Sequence, residues 1–326
     1  MTTVDASRIL DVATGYMASQ QLFESSRIGL FRALADGPRP AQEIAEHLGV
    51  SERIVRILAD AMSAKGLLRR MGGKYQLERD AAAFLAGGGG EVDLAPFLTF
   101  LSEISYSHWI QFPHTVDTGE PGDLGMDDAR WATFMSGVMT YNALHAREFG
   151  RLVDVSSARR ALDFGGLAAG FAIEAMRRNP DLTTTFLYAS DFEDGVRRAV
   201  DDAGLTDRSE VRSGDTATTR PAGTYDLIFA NHVIHRFSEA ENRGIFRNLR
   251  GAATAGAKLT LLDFFLDEDE TPRALDAQHA GEYLVIDGTV VYPESQVRDW
   301  LAATGWHVTD RITLPGSPRV LVAEAV

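Results

Sequence analysis

From Ala158 onward the chain alternates between short apolar strands and amphipathic helices, and this alternation limits the possible folds more than any other feature. ARRALDF reads as a strand and AGFAIEAMRRN as a helix. TTFLYAS, SEVRSG, YDLIFAN, KLTLLDFF and RVLVAEAV read as further strands, and GVRRAVDDAG, AENRGIFRNLRGA and ESQVRDWLAATG as the helices between them. Strands joined through helices cross over, and crossovers build a mostly parallel sheet with both faces covered. The predicted class is therefore α/β. Ligands of such sheets bind beyond the carboxyl ends of the strands, where the strand order reverses. The residues that fall there are Asp163 with the loop Gly165-Gly166-Leu167-Ala168-Ala169-Gly170, Asp191 at the end of the second strand, and Asp215 closing the third. Asn231, His232 and His235 follow the fourth, and Asp263 ends the fifth.

The preceding part has a different texture. Ile9 to Leu34 has helical periodicity. After it, RPAQEIAEHLGVSERIVRILADAMSAKGLLRRMGGKYQL reads helix, turn, helix and hairpin. Gly49 is placed to end the first helix of that run and Ser51 to cap the second, with Ile54, Ile57, Leu58, Met62 and Leu67 as its apolar stripe. Gly72-Gly73 turns the hairpin. This is a winged-helix pattern, which raises DNA binding as a rival reading through Arg53, Arg56, Arg69 and Arg70. Basic and acidic side chains roughly cancel over residues 1–90, and the whole chain carries a formal charge of −14, so a nucleic-acid partner is not expected. The run from Ala86 to Glu91 reads as a flexible joint. Residues 94–156 read as mainly helical, with a loop near Pro113 to Gly125. Trp109, Phe134, Met135, Met139 and Tyr141 in this stretch are candidates to line a pocket for a bulky apolar substrate, with helical core as the plainer role.

The chain has no cysteine, which excludes disulfides and thiolate metal sites. No stretch is long and apolar enough to span a membrane, and the N-terminus lacks a basic segment followed by an apolar run, so a cytoplasmic location is expected. His232 and His235 lack a third ligand at matching spacing, so no metal is expected. A neutral imidazole just past a strand end suits the role of general base toward a phenol, which makes His235 the candidate base and Asp263 on the adjoining strand its orienting carboxylate.

The segments ALDFGG, SDFEDGVRRA, YDLIFANHVIHRFSEAENRGIFRNLRGA and GAKLTLLDFF resemble the catalytic domain of the bacterial and plant small-molecule O-methyltransferases, a Rossmann-like class I fold. The winged helix resembles that family's dimerisation domain. The resemblance implies a winged-helix dimerisation domain over 1–90, a helical linker contributing to the substrate pocket over 91–156, and a catalytic domain over 157–326. It implies a homodimer acting on a polyketide-like or aromatic metabolite, with S-adenosylmethionine (SAM) as cofactor. Asp163, Gly165, Gly166 and Asn231 would contact that cofactor, Asp191 and Asp215 would hold its ribose and adenine, and His232 would border the substrate. Three departures stand out. The glycine-rich cofactor loop of the family carries Leu167 and Ala169 at two glycine positions. The family's His-Asp-Trp reads His235-Arg236-Phe237. A second supporting acid is replaced near Val291, in DGTVVYP. These departures raise an alternative in which His235 drives a dehydration, cyclisation or rearrangement and no methyl moves.

Overall fold

The computed structural model describes residues 5–88 and 90–326. Residues 1–4 and Gly89 lie outside them, and with them parts of the expected N-terminal stretch and glycine joint. The chain divides into two compact units, Met1–Ser107 with Leu124–Tyr141, and His108–Asp123 with Asn142–Val326.

In the first unit, the single helix expected over Ile9 to Leu34 is two, Ser7–Arg27 and Leu30–Ala33. Gly29 breaks it with a left-handed φ of 84°, a conformation that costs glycine little. Strand β1 (Arg39–Pro40) precedes helix Ala41–Leu48, and Gly49 ends that helix at φ 68°. Ser51 caps helix Glu52–Ala64 by accepting the Ile54 N–H. Strands β2 (Leu68–Met71) and β3 (Lys74–Leu77) form the wing, turned by two left-handed glycines. The apolar stripe of helix Glu52–Ala64 differs from the expected one. Val55, Leu58, Ala59 and Met62 are buried, whereas Ile54 and Ile57 are 44% and 48% exposed. The buried set follows i, i+3, i+4, i+7, which places 54 and 57 off the core face. Arg56 pairs with Glu52 and Arg70 with Asp60, so the basic side chains singled out near the wing are partly neutralised by neighbouring acids.

Also in this unit, helix Ala95–Phe100 continues into one turn of π-helix, Leu101–Ser105. Phe97 stacks on Tyr141 with centroids 4.2 Å apart, and Phe134 meets Phe100 edge-on at 5.5 Å. A side chain at Gly137 would collide with Phe100, so the glycine permits this close packing.

The second unit carries a seven-stranded sheet of β4 (Arg160–Phe164), β5 (Thr183–Tyr188), β6 (Ser209–Ser213), β7 (Tyr225–Phe229), β8 (Ala253–Asp263), β9 (Trp306–Thr313) and β10 (Arg319–Ala325). The order is β6-β5-β4-β7-β8-β10-β9, parallel except for β10, which runs antiparallel to both β8 and β9. Alternate residues face two cores. Ala161, Phe186, Phe229 and Leu262 pack with Phe149, Phe171 and Met176, and Leu162, Leu187, Ile228 and Leu261 pack with Phe246, Leu249 and Trp300. Burial on both faces is why these strands read as apolar runs. Strand β9 escaped the sequence reading because it is an edge strand rich in polar residues. The loop expected near Pro113 to Gly125 begins later. Phe112–Thr118 is helical, with proline in its first turn where no N–H is needed, and Gly119 ends it at φ 78°. The strand order reverses between β5-β4 and β7, which puts the ligand-binding crevice at the carboxyl ends of β4 and β7. Among the described residues no helix is long and apolar enough to cross a membrane.

Candidate active site

His235 is held from several sides. It lies in a 3-10 turn, Ile234–Arg236, between β7 and helix Glu239–Gly251. That helix starts with a reciprocal capping box between Ser238 and Glu241. Asn242 in its first turn donates to the carbonyls of Ile234 and Phe237, which ties the turn down. The Val290 N–H donates to the His235 carbonyl, so the DGTVVYP segment supports the histidine through its backbone where a second acid was missing. The Tyr283 ring lies 4.6 Å from the imidazole.

Asp263, fully buried at the end of β8, faces His235 Nδ1 with Oδ2 at 2.9 Å and Oδ1 at 3.2 Å. Burial alone would raise this carboxyl. The charge and hydrogen bond of His235, with smaller effects from His232 and the Phe264 N–H, outweigh burial and hold it below its ordinary value. An ionised carboxylate accepts only, so the Nδ1 it faces carries the proton, and in the neutral ring Nε2 presents a lone pair.

His232 adopts φ 56°, a left-handed conformation rare outside glycine and often found at functional sites. Its N–H donates to the Leu262 carbonyl at 2.7 Å. Its Nε2 lies 3.0 Å from Nδ1 of His145, and the two rings stack. Burial drives both imidazoles toward the neutral form, His232 down to about 4 and His145 well below its ordinary value. His232 is thus buried against His145. Donor atoms of His232, His235 and Asp263 lie within 4.8 Å of one another. The third donor that sequence spacing lacked comes across the sheet from Asp263, whose carboxylate is already engaged by His235.

Beside β4, Gly165 has φ 69°, and a Cβ there would collide with Thr216; a Cβ on Gly166 would approach the Asn231 carbonyl to 3.2 Å. Gly165 therefore needs bare backbone, and a side chain at Gly166 would have to displace the Asn231 carbonyl slightly. Asn231 Oδ1 accepts the Leu262 N–H at 2.9 Å. Burial pushes Asp163 up to about 7, against the pull of the Tyr188 hydroxyl and the Ala172 N–H. Asp163 Oδ2, Asn231 Nδ2 and Arg236 Nε are buried and find no hydrogen-bond partner among the described residues. Bare glycine backbone beside unsatisfied polar atoms fits a polar ligand here, and SAM is the one the resemblance implies.

Two residues expected to contact the cofactor lie past the ends of their strands. β5 ends at Tyr188, and Asp191 lies in the first turn of helix Ser190–Asp202, exposed, so no acid ends that strand. Tyr188 stands at the strand end instead, fully buried, donating to the Ala168 carbonyl at 3.2 Å. Asp215 is exposed and accepts from the backbone and hydroxyl of Thr218. The sequence reading also missed the direction of Arg236, whose Nη2 donates to the Gly165 carbonyl. Leu167 is half-buried and Ala169 buried.

Of the expected pocket residues, Trp109 belongs to the second unit. Its Nε1 donates to Glu282 at 2.5 Å, and its ring lies where a side chain on Gly281 would collide. Phe134 and Tyr141 belong to the aromatic cluster of the first unit, and Met135 and Met139 are half-buried there.

Residues 10–87 match the model of the O-methyltransferase dimerisation domain, and residues 103–306 that of the O-methyltransferase domain. The chain is 28% identical over 324 residues to 3-hydroxy-5-methyl-1-naphthoate 3-O-methyltransferase of Streptomyces sahachiroi, covering 96% of this chain and 93% of that protein. Among solved structures it superposes on the apo form of the S-adenosylmethionine-dependent methyltransferase SibL with TM-score 0.86 and 23% identity, over 98% of this chain and 99% of that one. It superposes on the SAH-bound CalO1, a methyltransferase in calicheamicin biosynthesis, with TM-score 0.87 and 18% identity, over 99% and 100% of the two chains. These two likenesses show the fold.

Proposed function

The chain belongs to the O-methyltransferase family, and on that footing we propose that it transfers a methyl group from SAM to a hydroxyl of an aromatic or polyketide-like metabolite, with His235 as general base. The observation that carries this is the His235–Asp263 pair at the carboxyl edge of the sheet, with Nδ1 2.9 Å from the carboxylate. SAM, when bound, supplies an electrophilic methyl on a sulfonium sulfur. Nε2 of His235 takes the proton of the substrate hydroxyl, which makes the oxygen a better nucleophile. Asp263 fixes the tautomer and stabilises the imidazolium that forms. Gly165, Gly166, Asp163 and Asn231 would hold the cofactor through backbone approach and their free polar atoms. Tyr283 packs on the base and fixes its plane. The named activity of the naphthoate methyltransferase relative supports an aryl hydroxyl as the acceptor.

The first unit would pair two copies. Its dimerisation match supports this, as do Ile9, Val12 and Tyr16, exposed at i, i+3 and i+7 on the first helix. The test of the reaction is incubation of the protein with SAM and a panel of hydroxylated naphthoates and anthraquinones, read by mass spectrometry. A product heavier by one methyl, lost in His235→Ala, is expected. A product that gains no methyl, made in the same His235-dependent way without SAM, would replace methyl transfer by a proton-driven rearrangement or dehydration.

A further inference from the structure

We infer that Arg236 sets the charge that the cofactor crevice accepts, so that the crevice discriminates against the sulfonium of SAM relative to the uncharged thioether of S-adenosylhomocysteine (SAH). The inference rests on the reading that this crevice holds that cofactor.

Arg236 stands where the family pattern has an aspartate. Its side chain turns into the carboxyl edge of the sheet, where Nη2 donates to the Gly165 carbonyl. Gly165 is buried at the start of the glycine loop, with the Thr216 side chain filling the space a Cβ would take. Nε is buried and finds no acceptor among the described residues. Burial pulls the guanidinium's pKa down, while Asp263, Tyr188 and Tyr283, all within electrostatic reach, pull it up. Arginine remains charged even so. A permanent cation therefore sits beside the glycine loop, bound to one of its backbone carbonyls.

Exchanging aspartate for arginine changes the local charge by two units in a partly water-excluded site, where charges act more strongly than in water. SAM has a sulfonium, an ammonium and a carboxylate, net +1. SAH has the same shape less one methyl and is net neutral. Repulsion by Arg236 therefore acts on the difference between them, whereas the loss or gain of the Gly165 contact acts on both alike. The ratio of their affinities isolates the charge effect.

The test is isothermal titration of the full chain with SAM and with SAH, for the wild type and for Arg236→Lys, Arg236→Gln and Arg236→Asp, each checked by thermal melting. Wild type is expected to bind SAH about tenfold or more tighter than SAM. Lysine should keep that preference, glutamine should reduce it, and aspartate should shift it toward SAM by about another tenfold. An amine analogue of the cofactor, cationic at nitrogen in place of sulfur, needs no variant and should bind wild type as weakly as SAM does. The same SAM-to-SAH ratio in all four proteins, or an analogue that binds as tightly as SAH, overturns the inference. If none of the proteins binds either compound, the inference and the methyl-transfer reading both fall. If the ratio shifts as stated but no variant methylates a hydroxyl, Arg236 keeps its role and methyl transfer alone falls.

Discussion

Replacing Asp263 by asparagine should stop the base while leaving the site's shape nearly intact. Oδ1 of Asp263 accepts the Phe264 N–H at 2.9 Å, and Oδ2 faces His235 Nδ1 at 2.9 Å. An asparagine that keeps its oxygen on Phe264 presents its NH2 to Nδ1. The reverse orientation sets NH2 against a buried N–H, leaving donors unpaired at a cost of about 1–3 kcal/mol, so the first prevails. A donor facing Nδ1 forces that nitrogen to accept, and the ring proton moves to Nε2, where the base lone pair is needed. The expected loss is that of general-base catalysis, about 10²–10⁴ in kcat. Binding of the cofactor should change little. Because both residues serve one proton transfer, His235→Ala combined with Asp263→Asn should be scarcely slower than His235→Ala alone. The assay is single-turnover methyl transfer at saturating cofactor, with nitrogen NMR reporting the tautomer of His235. An Asp263→Asn variant that keeps more than about a third of the rate would refute the pairing, as would losses that multiply in the double variant.

Asp163, raised to about 7 by burial, is neutral in the folded protein over a range where the unfolded chain ionises it. Its contribution to stability is full below about pH 4 and is lost as pH rises through about 7, a loss approaching 4 kcal/mol in order of magnitude. Asp163→Asn should therefore stabilise the cofactor-free protein at pH 8 and not at pH 4, and equal effects at both values in urea melts would contradict this. Arg319 is buried among Asp267 at 2.5 Å, Asp276 at 2.9 Å and Glu294 at 3.3 Å, so Arg319→Met should cost about 3–5 kcal/mol through stranded carboxylates. A loss under about 1 kcal/mol in chemical denaturation would show that the network relaxes. Val12 is 84% exposed and Tyr16 53%. Glutamate at both should convert a dimer to monomer in sedimentation, and an unchanged mass would move the pairing surface elsewhere.

What the sequence made legible follows from where each residue's position is decided. The β4, β7 and β8 strands show in the sequence because both faces are buried, and a run of apolar residues has few other homes. Once they lie side by side, topology brings their carboxyl ends together, and His235 meets Asp263 across 28 residues of chain. That juxtaposition needs no knowledge of any side-chain angle. The misplaced features depend on detail below that level. Whether β5 stops at Tyr188 or runs to Asp191 turns on three residues with no apolar pattern, and the helix claims them first. His145 reaches His232 from a helix 87 residues away, a contact that only packing decides.

Arg236 is the sharpest case. Its charge was visible from the sequence as a departure, but its consequence depended on direction, since an arginine facing solvent would hardly affect the histidine beside it. The direction is set by a 3-10 turn of three residues, which rotates position 236 toward β4 while position 235 faces β8. One short turn thus carries a base and a cation to the ends of the two strands that flank β7. On the proposed reading, position 235 governs where the proton goes, and position 236 the charge the crevice tolerates. A substitution at either is expected to change chemistry without changing the fold, because neither side chain belongs to the two apolar cores that hold the sheet.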